Sequence, residues 1–184
     1  EVGCGHGGGA SYLARTLAPA SYTGLDRNKA AIDFCRRRHV VRGVEFVHGD
    51  AERLPFPDGS FDAVVNVESS AAYPHFSRFL TEVARVLRRG GRFLYTDLRP
   101  RNGVAEWEAA LDGFPLRMLS NDDINAQVVR GLENNAARMV DLVDRMPKAL
   151  RGLGREYAGM EGTGFYRAMR SGKYPYRMYS FIKE

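Results

Sequence analysis

The chain has 184 residues, of which 44% are apolar and 27% charged, with a formal net charge of +5. That length and balance fit one globular domain with a substantial core, and no internal repeat or low-complexity segment is present. No apolar run approaches the roughly 18–20 residues that span a bilayer. Two cysteines, Cys4 and Cys35, are too few for a disulfide framework and fit a reducing, cytoplasmic compartment. The small cationic excess reads as a solvated Arg-rich surface, compatible with peripheral contact at an anionic membrane.

The chain opens on Glu1-Val2-Gly3-Cys4-Gly5-His6-Gly7-Gly8-Gly9, with five glycines in seven positions. Glycine serves where backbone takes positive φ or approaches a ligand closely. A glycine turn opening a helix presents unpaired N–H groups and a partial positive charge to an anionic group. The expectation is a nucleotide-type cofactor on this turn. Such a turn needs a buried strand before it, and only Glu1 and Val2 remain of one. The chain is therefore expected to be a fragment lacking the start of strand one and the helices upstream. Ala10 to Leu17 predicts a helix with Tyr12, Leu13 and Leu17 as its apolar positions, ended by Pro19. Ser21 to Asp26 predicts a strand that finishes on a carboxylate, the opening of a parallel α/β sheet. Asp26 stands where an acid accepts from both hydroxyls of a ribose. It also suits a helix cap, although Asn28 suits that place better. Gly3, Gly5 and Gly8 with Asp26 fit the dinucleotide fingerprint, which points to NAD, and Glu1, Gly3, Gly5 and Gly7 equally fit E-x-G-x-G-x-G, which points to S-adenosylmethionine (SAM).

Asn28 to Arg38 predicts the second helix. Arg36-Arg37-Arg38-His39, with Arg42, lacks interleaved aromatics and reads as dipole compensation at a helix end, not a nucleic-acid patch. Val44 to Val47 alternates as a strand, and Ala63 to Val67 is an apolar run suited to a central parallel strand. Tyr73 to Leu87 predicts an amphipathic helix that places Tyr73, Phe76, Leu80, Val83, Ala84 and Leu87 in the core, stopped at Arg88-Arg89-Gly90-Gly91. Arg92 to Leu98 predicts a strand with Asp97 at its carboxyl end, where open α/β sheets place ligands. Further on, Val104 to Leu111 predicts a helix, and Ser120-Asn121-Asp122-Asp123 caps a second running through Ile124, Val128 and Leu132. Extended segments are expected near Arg155–Gly159 and Tyr174–Lys183. The whole reads as one domain over 1–184 with a helical insert at about 103–150. The insert's Met and Leu residues either pack on the sheet or line an apolar substrate channel.

Gly49-Asp50-Ala51-Glu52, Leu54-Pro55-Phe56 and Ser60-Phe61-Asp62-Ala63-Val64-Val65 resemble motif II of class I SAM-dependent methyltransferases. More narrowly, Cys4 to Leu13, Asn66-Val67-Glu68, Tyr73 to Phe79 and Tyr176-Arg177-Met178-Tyr179 are similar to the mycobacterial phthiotriol/phenolphthiotriol dimycocerosates methyltransferases. The resemblance covers nearly the whole chain. It implies a Rossmann-like α/β sheet with helices on both faces, mostly parallel with an antiparallel final strand. It implies SAM as cofactor, no metal, and O-methylation of a hydroxyl on a long-chain lipid. It places Asp50 on the adenine amino group, the Ala51 backbone N–H on the ring, Gly3, Gly5 and Gly7 along the methionine part, and Glu1 on its amino group through water. Asn66 joins that cofactor set. Related O-methyltransferases carry a His shortly after strand four, where this chain has Ala71-Ala72. The candidate bases are then Glu68, His75 and Asp97, with Asp97 expected to orient the His75 ring. An NAD-dependent oxidoreductase, a methyltransferase of a sterol, quinone or small natural product, and a non-catalytic fragment remain the alternatives.

Overall fold

The computed structural model describes all 184 residues, in two compact units. One comprises residues 1–97, 108–121 and 179–184; the other comprises 98–107 and 122–178.

The glycine turn leads into α1 (Gly8–Leu17), followed by β1 (Tyr22–Asp26), α2 (Lys29–Arg38) and β2 (Val44–His48). β1 and β2 pair in parallel, from Tyr22 opposite Val44 to Asp26 opposite His48. Next come β3 (Phe61–Val67), α3 (Phe76–Val86) and β4 (Leu87–Leu98), and β3 runs parallel to β4 with Ala63 opposite Arg92. Val2 joins the two pairs, because it bridges in parallel to both Leu25 and Asn66. Its N–H donates to Val65 O at 2.9 Å, and the Gly3 N–H donates to Leu25 O at 2.8 Å. The remaining strands are β5 (Arg117–Asp123) and β6 (Tyr176–Ile182), in the order β3-β4-β6-β5. β6 is antiparallel to β4, since Gly90 N donates to Lys183 O and Arg99 N to Pro175 O. The expected mixed sheet is therefore present, with Val2 in the place of its central strand.

Period-2 alternation fills the core beside β4. Phe93 and Tyr95 share one face and stack at 5.4 Å, and they continue onto Tyr179 and Phe181 of β6 at 5.8 and 5.9 Å. Phe79, Leu80, Val83 and Val86 of α3 are buried, as the helical spacing requires. Asn28 caps α2: its side chain accepts from the Ala31 N–H. Asn28→Ala is expected to cost about 1 kcal/mol, read as a lower urea midpoint at constant slope.

Several local expectations are corrected. Tyr12 and Leu17 are exposed, and α1 packs through small residues, Ala10, Ser11 and Ala14. Ala10 sits in a cluster with Cys4, Ile32, Cys35 and Phe46. Leu87 to Gly91 is strand, joined to β3 through a register shift between Phe61 and Ala63. Tyr73 lies before the helix, because a 3₁₀ turn at Ser70–Ala72 intervenes and α3 starts at Phe76. Ser120 to Asp123 ends β5, although Asp123 Oδ1 still accepts from Asn125 N at the start of the following helix. The segment expected to be extended near Arg155 is α7, described below.

The second unit is mainly helical: α5 (Asn125–Asn134), α6 (Ala136–Asp144), α7 (Arg151–Tyr157) and α8 (Gly164–Arg170). A helix α4 (Val104–Asp112) precedes β5. α7 stops at Gly159, whose φ of 61° turns the chain while Met160 N donates to Arg155 O. Asn125 ties the unit's ends: Nδ2 donates to Met169 O and Tyr174 O, and Oδ1 accepts from Tyr176 N. Helical structure thus extends to Arg170, past the expected end of the insert near 150, and a strand interrupts it at 117–123. No helix is long and apolar enough to cross a membrane.

Candidate functional site

Parallel pairing brings the carboxyl ends of β1, β2 and β3 to one edge. There a cavity of about 430 Å³ opens, lined among others by Gly3, Gly5, Asp26, Asp50, Ala51, Glu52, Glu68, Ser69 and Tyr73. The size lies within the range of small-molecule sites.

Asp26 closes β1 and locks the glycine turn. Its Oδ2 accepts from Gly5 N at 2.8 Å and its Oδ1 from Asn28 N at 2.8 Å. A carboxylate has about four lone-pair sites, so two acceptor directions remain for hydroxyls in the cavity. Asp50 shapes the turn after β2, where its Oδ1 accepts from Glu52 N at 2.9 Å.

Gly3 forms the floor. Its φ is 74°, and a Cβ there would lie 2.3 Å from Ser69 Oγ and 2.8 Å from the Tyr73 hydroxyl. Below it Asn66 is fully buried, with Nδ2 donating to Val2 O at 2.9 Å and lying 2.8 Å from Ser69 Oγ and 3.0 Å from the Tyr73 hydroxyl. Burial pushes the Tyr73 hydroxyl up to about 12, so it stays protonated at neutral pH. The Asn66 Oδ1 is buried without a partner. A buried polar shelf of this kind fixes the turn above it.

Asp97 and His75 do not meet, contrary to expectation. Asp97 is buried, and its Oδ2 accepts from Ser70 N at 3.0 Å and Ser70 Oγ at 2.6 Å. Ser70 Oγ also bonds the Tyr95 hydroxyl at 2.6 Å. Asp97 thereby anchors the 3₁₀ turn to the core. His75 precedes α3, and Glu52 holds it: Oε1 accepts from His75 N at 2.7 Å and Oε2 lies 2.9 Å from Nδ1. The His75 side chain is 55% exposed, and it does not line the cavity.

Of the residues singled out in sequence, Gly3, Gly5, Asp26, Asp50, Ala51 and Glu68 line one cavity. Glu1, Gly7, Asn66, His75 and Asp97 lie outside its lining. The Glu1 carboxylate accepts from the Tyr22 hydroxyl at 3.0 Å, and burial raises its pKa. A Cβ at Gly7 would meet Cys35 Sγ and His39 Cδ2, both at 2.9 Å, so that glycine serves packing behind the turn. Glu68 holds a left-handed backbone, φ 48°, a strained conformation for a non-glycine residue. Glu52, Ser69 and Tyr73 are cavity residues that the sequence reading did not assign. Glu52 was within reach of it, being the fourth residue of Gly-Asp-Ala-Glu.

Residues 1–95 match the family described as methyltransferase domain. The chain is 60% identical over 185 residues to a phthiotriol/phenolphthiotriol dimycocerosates methyltransferase of Mycobacterium tuberculosis, covering 100% of this chain and 68% of that protein. It is 59% identical over 184 residues to a fatty-acid O-methyltransferase of Mycolicibacterium smegmatis, covering 100% and 66%. In fold it is similar to a putative sarcosine dimethylglycine methyltransferase from Galdieria sulphuraria, with a TM-score of 0.79 at 15% identity, covering 100% and 77%.

Proposed function

The chain belongs to the methyltransferase-domain family as a SAM-dependent methyltransferase, and from that premise we propose that it methylates an oxygen of a long-chain lipid. The dehydrogenase alternative drops out with the family assignment. What supports the reading is one cavity that gathers the glycine turn, Asp26, Asp50 and Glu68, in a chain so close to two lipid-directed methyltransferases.

The residues present fit the cofactor. Asp26 offers its two remaining acceptor directions to ribose hydroxyls. Asp50 and the Ala51 N–H would take the adenine edge. Gly3 and Gly5 give the amino-acid portion a surface without side chains. Bound there, SAM supplies an electrophilic methyl group on a sulfonium. The protein's contribution is to align an acceptor oxygen with that methyl and to exclude water, which supplies roughly 7–11 kcal/mol.

A hydroxyl acceptor would need a group in the cavity to take its proton. Glu68 is the carboxylate we assign to that proton, because it lines the cavity on a strained backbone. Asp97 supports it indirectly, by pinning the 3₁₀ turn through Ser70. His75, held at the rim by Glu52, positions the entry to α3. A second acceptor is favoured by the fatty-acid O-methyltransferase relative: a carboxylate, already ionised, needs no base.

The test is transfer from isotopically labelled SAM to a phthiotriol dimycocerosate-type long-chain alcohol and to a long-chain fatty acid, read by mass spectrometry. Label on neither would overturn lipid O-methylation. Glu68→Gln discriminates the two acceptors. With a hydroxyl acceptor turnover is expected to fall about 10²–10⁴-fold with S-adenosylhomocysteine affinity retained, and with a carboxylate it stays near the parent value. His75→Ala is expected to lower turnover less than tenfold, since its ring lies outside the cavity; a loss as large as that of Glu68→Gln would restore it as the base.

A further inference from the structure

We propose that Glu82 and Arg85 of α3 are positioning residues for the adenine of the cofactor, acting by holding the segment that follows Asp50 and Ala51. The proposal rests on the assignment of those two residues to the adenine edge. The chemistry starts with Leu54-Pro55-Phe56-Pro57. Pro55 and Pro57 have no N–H, so the stretch offers no continuous ladder, and its carbonyls need donors from elsewhere. Arg85 supplies them: Nη2 donates to Leu54 O at 2.9 Å and Nη1 to Phe56 O at 2.7 Å. Glu82 takes the Leu54 N–H, which its Oε2 accepts at 2.7 Å. The two side chains also lock each other, since Arg85 Nε donates to Glu82 Oε1 and Nη2 to Oε2, both at 2.8 Å. That is a bidentate fork, which a lysine cannot copy. The guanidinium holds the Glu82 carboxyl below its usual range, so the pair is ionised at neutral pH. The Arg85 carbonyl accepts from Gly59 N at 3.0 Å and closes the far end of the segment.

Leu54 directly follows the turn that carries the adenine contacts. Arg53 N donates to Asp50 O at 3.1 Å and Glu52 N to Asp50 Oδ1 at 2.9 Å, so Asp50 to Arg53 is one closed unit. A shift of Leu54 carries that unit with it. The mount is stiff, because Phe79, Leu80, Val83 and Val86 bury the other side of α3. The same helix holds the turn a second time at its head, where the Glu52 carboxylate takes His75 N and Nδ1. Asp50 and Ala51 thus hang from one helix through Glu52 and Leu54. A ligand held by one carboxylate and one N–H depends on both standing at the right spacing, and a misplacement of about 1 Å can cost about 10²-fold.

Base discrimination tests it, in a way that a stabilising role alone does not move. S-inosylhomocysteine carries a carbonyl in place of the adenine amino group, and its neighbouring ring nitrogen bears a proton, so both base contacts invert. The parent is expected to bind S-adenosylhomocysteine roughly 10²-fold or more tightly than S-inosylhomocysteine in calorimetric titration. Glu82→Ala and Arg85→Lys are each expected to weaken S-adenosylhomocysteine by about tenfold and S-inosylhomocysteine much less, so that the ratio falls about tenfold. Glu82→Gln keeps an oxygen for the Leu54 N–H and should lie between Glu82→Ala and the parent. Val83→Ala, on the buried face of α3, is the control: it should lower the urea midpoint and leave the ratio at the parent value. A parent-like ratio in both Glu82→Ala and Arg85→Lys overturns the proposal and leaves the pair a role in stability alone. An equal fall in Val83→Ala overturns it too, because the ratio would then follow stability. A parent that does not prefer S-adenosylhomocysteine refutes the adenine assignment itself, and the proposal with it, before any variant is made.

Discussion

Gly3→Ala is expected to lose about 2–5 kcal/mol of stability and to abolish measurable S-adenosylhomocysteine binding. Two costs add. A left-handed backbone with a Cβ costs roughly 1–2 kcal/mol, and forcing a methyl into a filled space costs a further 1–3 kcal/mol. The overlap is severe because the new carbon would lie 2.3 Å from Ser69 Oγ and 2.5 Å from Ser69 Cβ. Against a typical total of about 5–15 kcal/mol, that is a large fraction. The double variant Gly3→Ala with Ser69→Gly should relieve the overlap with Ser69 and keep the backbone penalty and the 2.8 Å approach to the Tyr73 hydroxyl, so it should recover part of the loss. Urea denaturation and isothermal titration calorimetry give both readouts. Parent-like stability in Gly3→Ala would mean that the turn shifts freely, and the polar shelf of Asn66, Ser69 and Tyr73 would then have no role in fixing it.

Asp26→Ala is expected to weaken S-adenosylhomocysteine binding by roughly 10²–10⁴-fold. Two hydrogen bonds to a charged acceptor are worth about 1.5–3 kcal/mol each. The variant also releases the Gly5 and Asn28 N–H groups that the carboxylate holds at 2.8 Å, so the melting temperature should fall alongside. Asp26→Asn keeps one carbonyl oxygen and is expected to fall between parent and Asp26→Ala in both measurements. Unaltered affinity in Asp26→Ala would remove the ribose role and leave Asp26 as a structural clasp for the glycine turn.

Local chemistry made part of this molecule legible in advance. The strand ending on Asp26 and the helix capped by Asn28 follow from alternation, from cap geometry and from short-range hydrogen bonds. The cavity carboxylates were legible for a related reason: each stands next to a strand end, and parallel pairing carries strand ends to one edge. β5 was hidden because Ser120-Asn121-Asp122-Asp123 is polar and its strand is largely exposed, so no alternating apolar signal survives. α7 was hidden because Gly152 and Gly154 lower its helix propensity and its apolar residues face outward. The link between His75 and Asp97 failed for a topological reason. Whether those side chains meet depends on the 3₁₀ turn at Ser70–Ala72, which gives Asp97 to Ser70, 27 residues away, and leaves His75 to Glu52, 23 residues away. Partners at such separations are set by tertiary packing and leave no periodic trace in the chain.

The stacked rings of β4 and β6 give the molecule an optical property of its own. Phe93, Tyr95, Tyr179 and Phe181 form a chiral array of coupled chromophores, and Tyr95 and Tyr179 should dominate the near-ultraviolet dichroism of their unit. The protein's only tryptophan, Trp107, belongs to the other unit, where the Arg99 guanidinium lies 4.9 Å from its ring centroid. Tryptophan emission therefore reports on one unit, whereas tyrosyl dichroism reports on both, because Tyr166 and Tyr176 are buried in the unit of Trp107. Superimposable denaturation curves from the two signals would mark a single cooperative transition, and a dichroism curve with a second step absent from the emission would mark separate unfolding of the unit that carries the stacked rings.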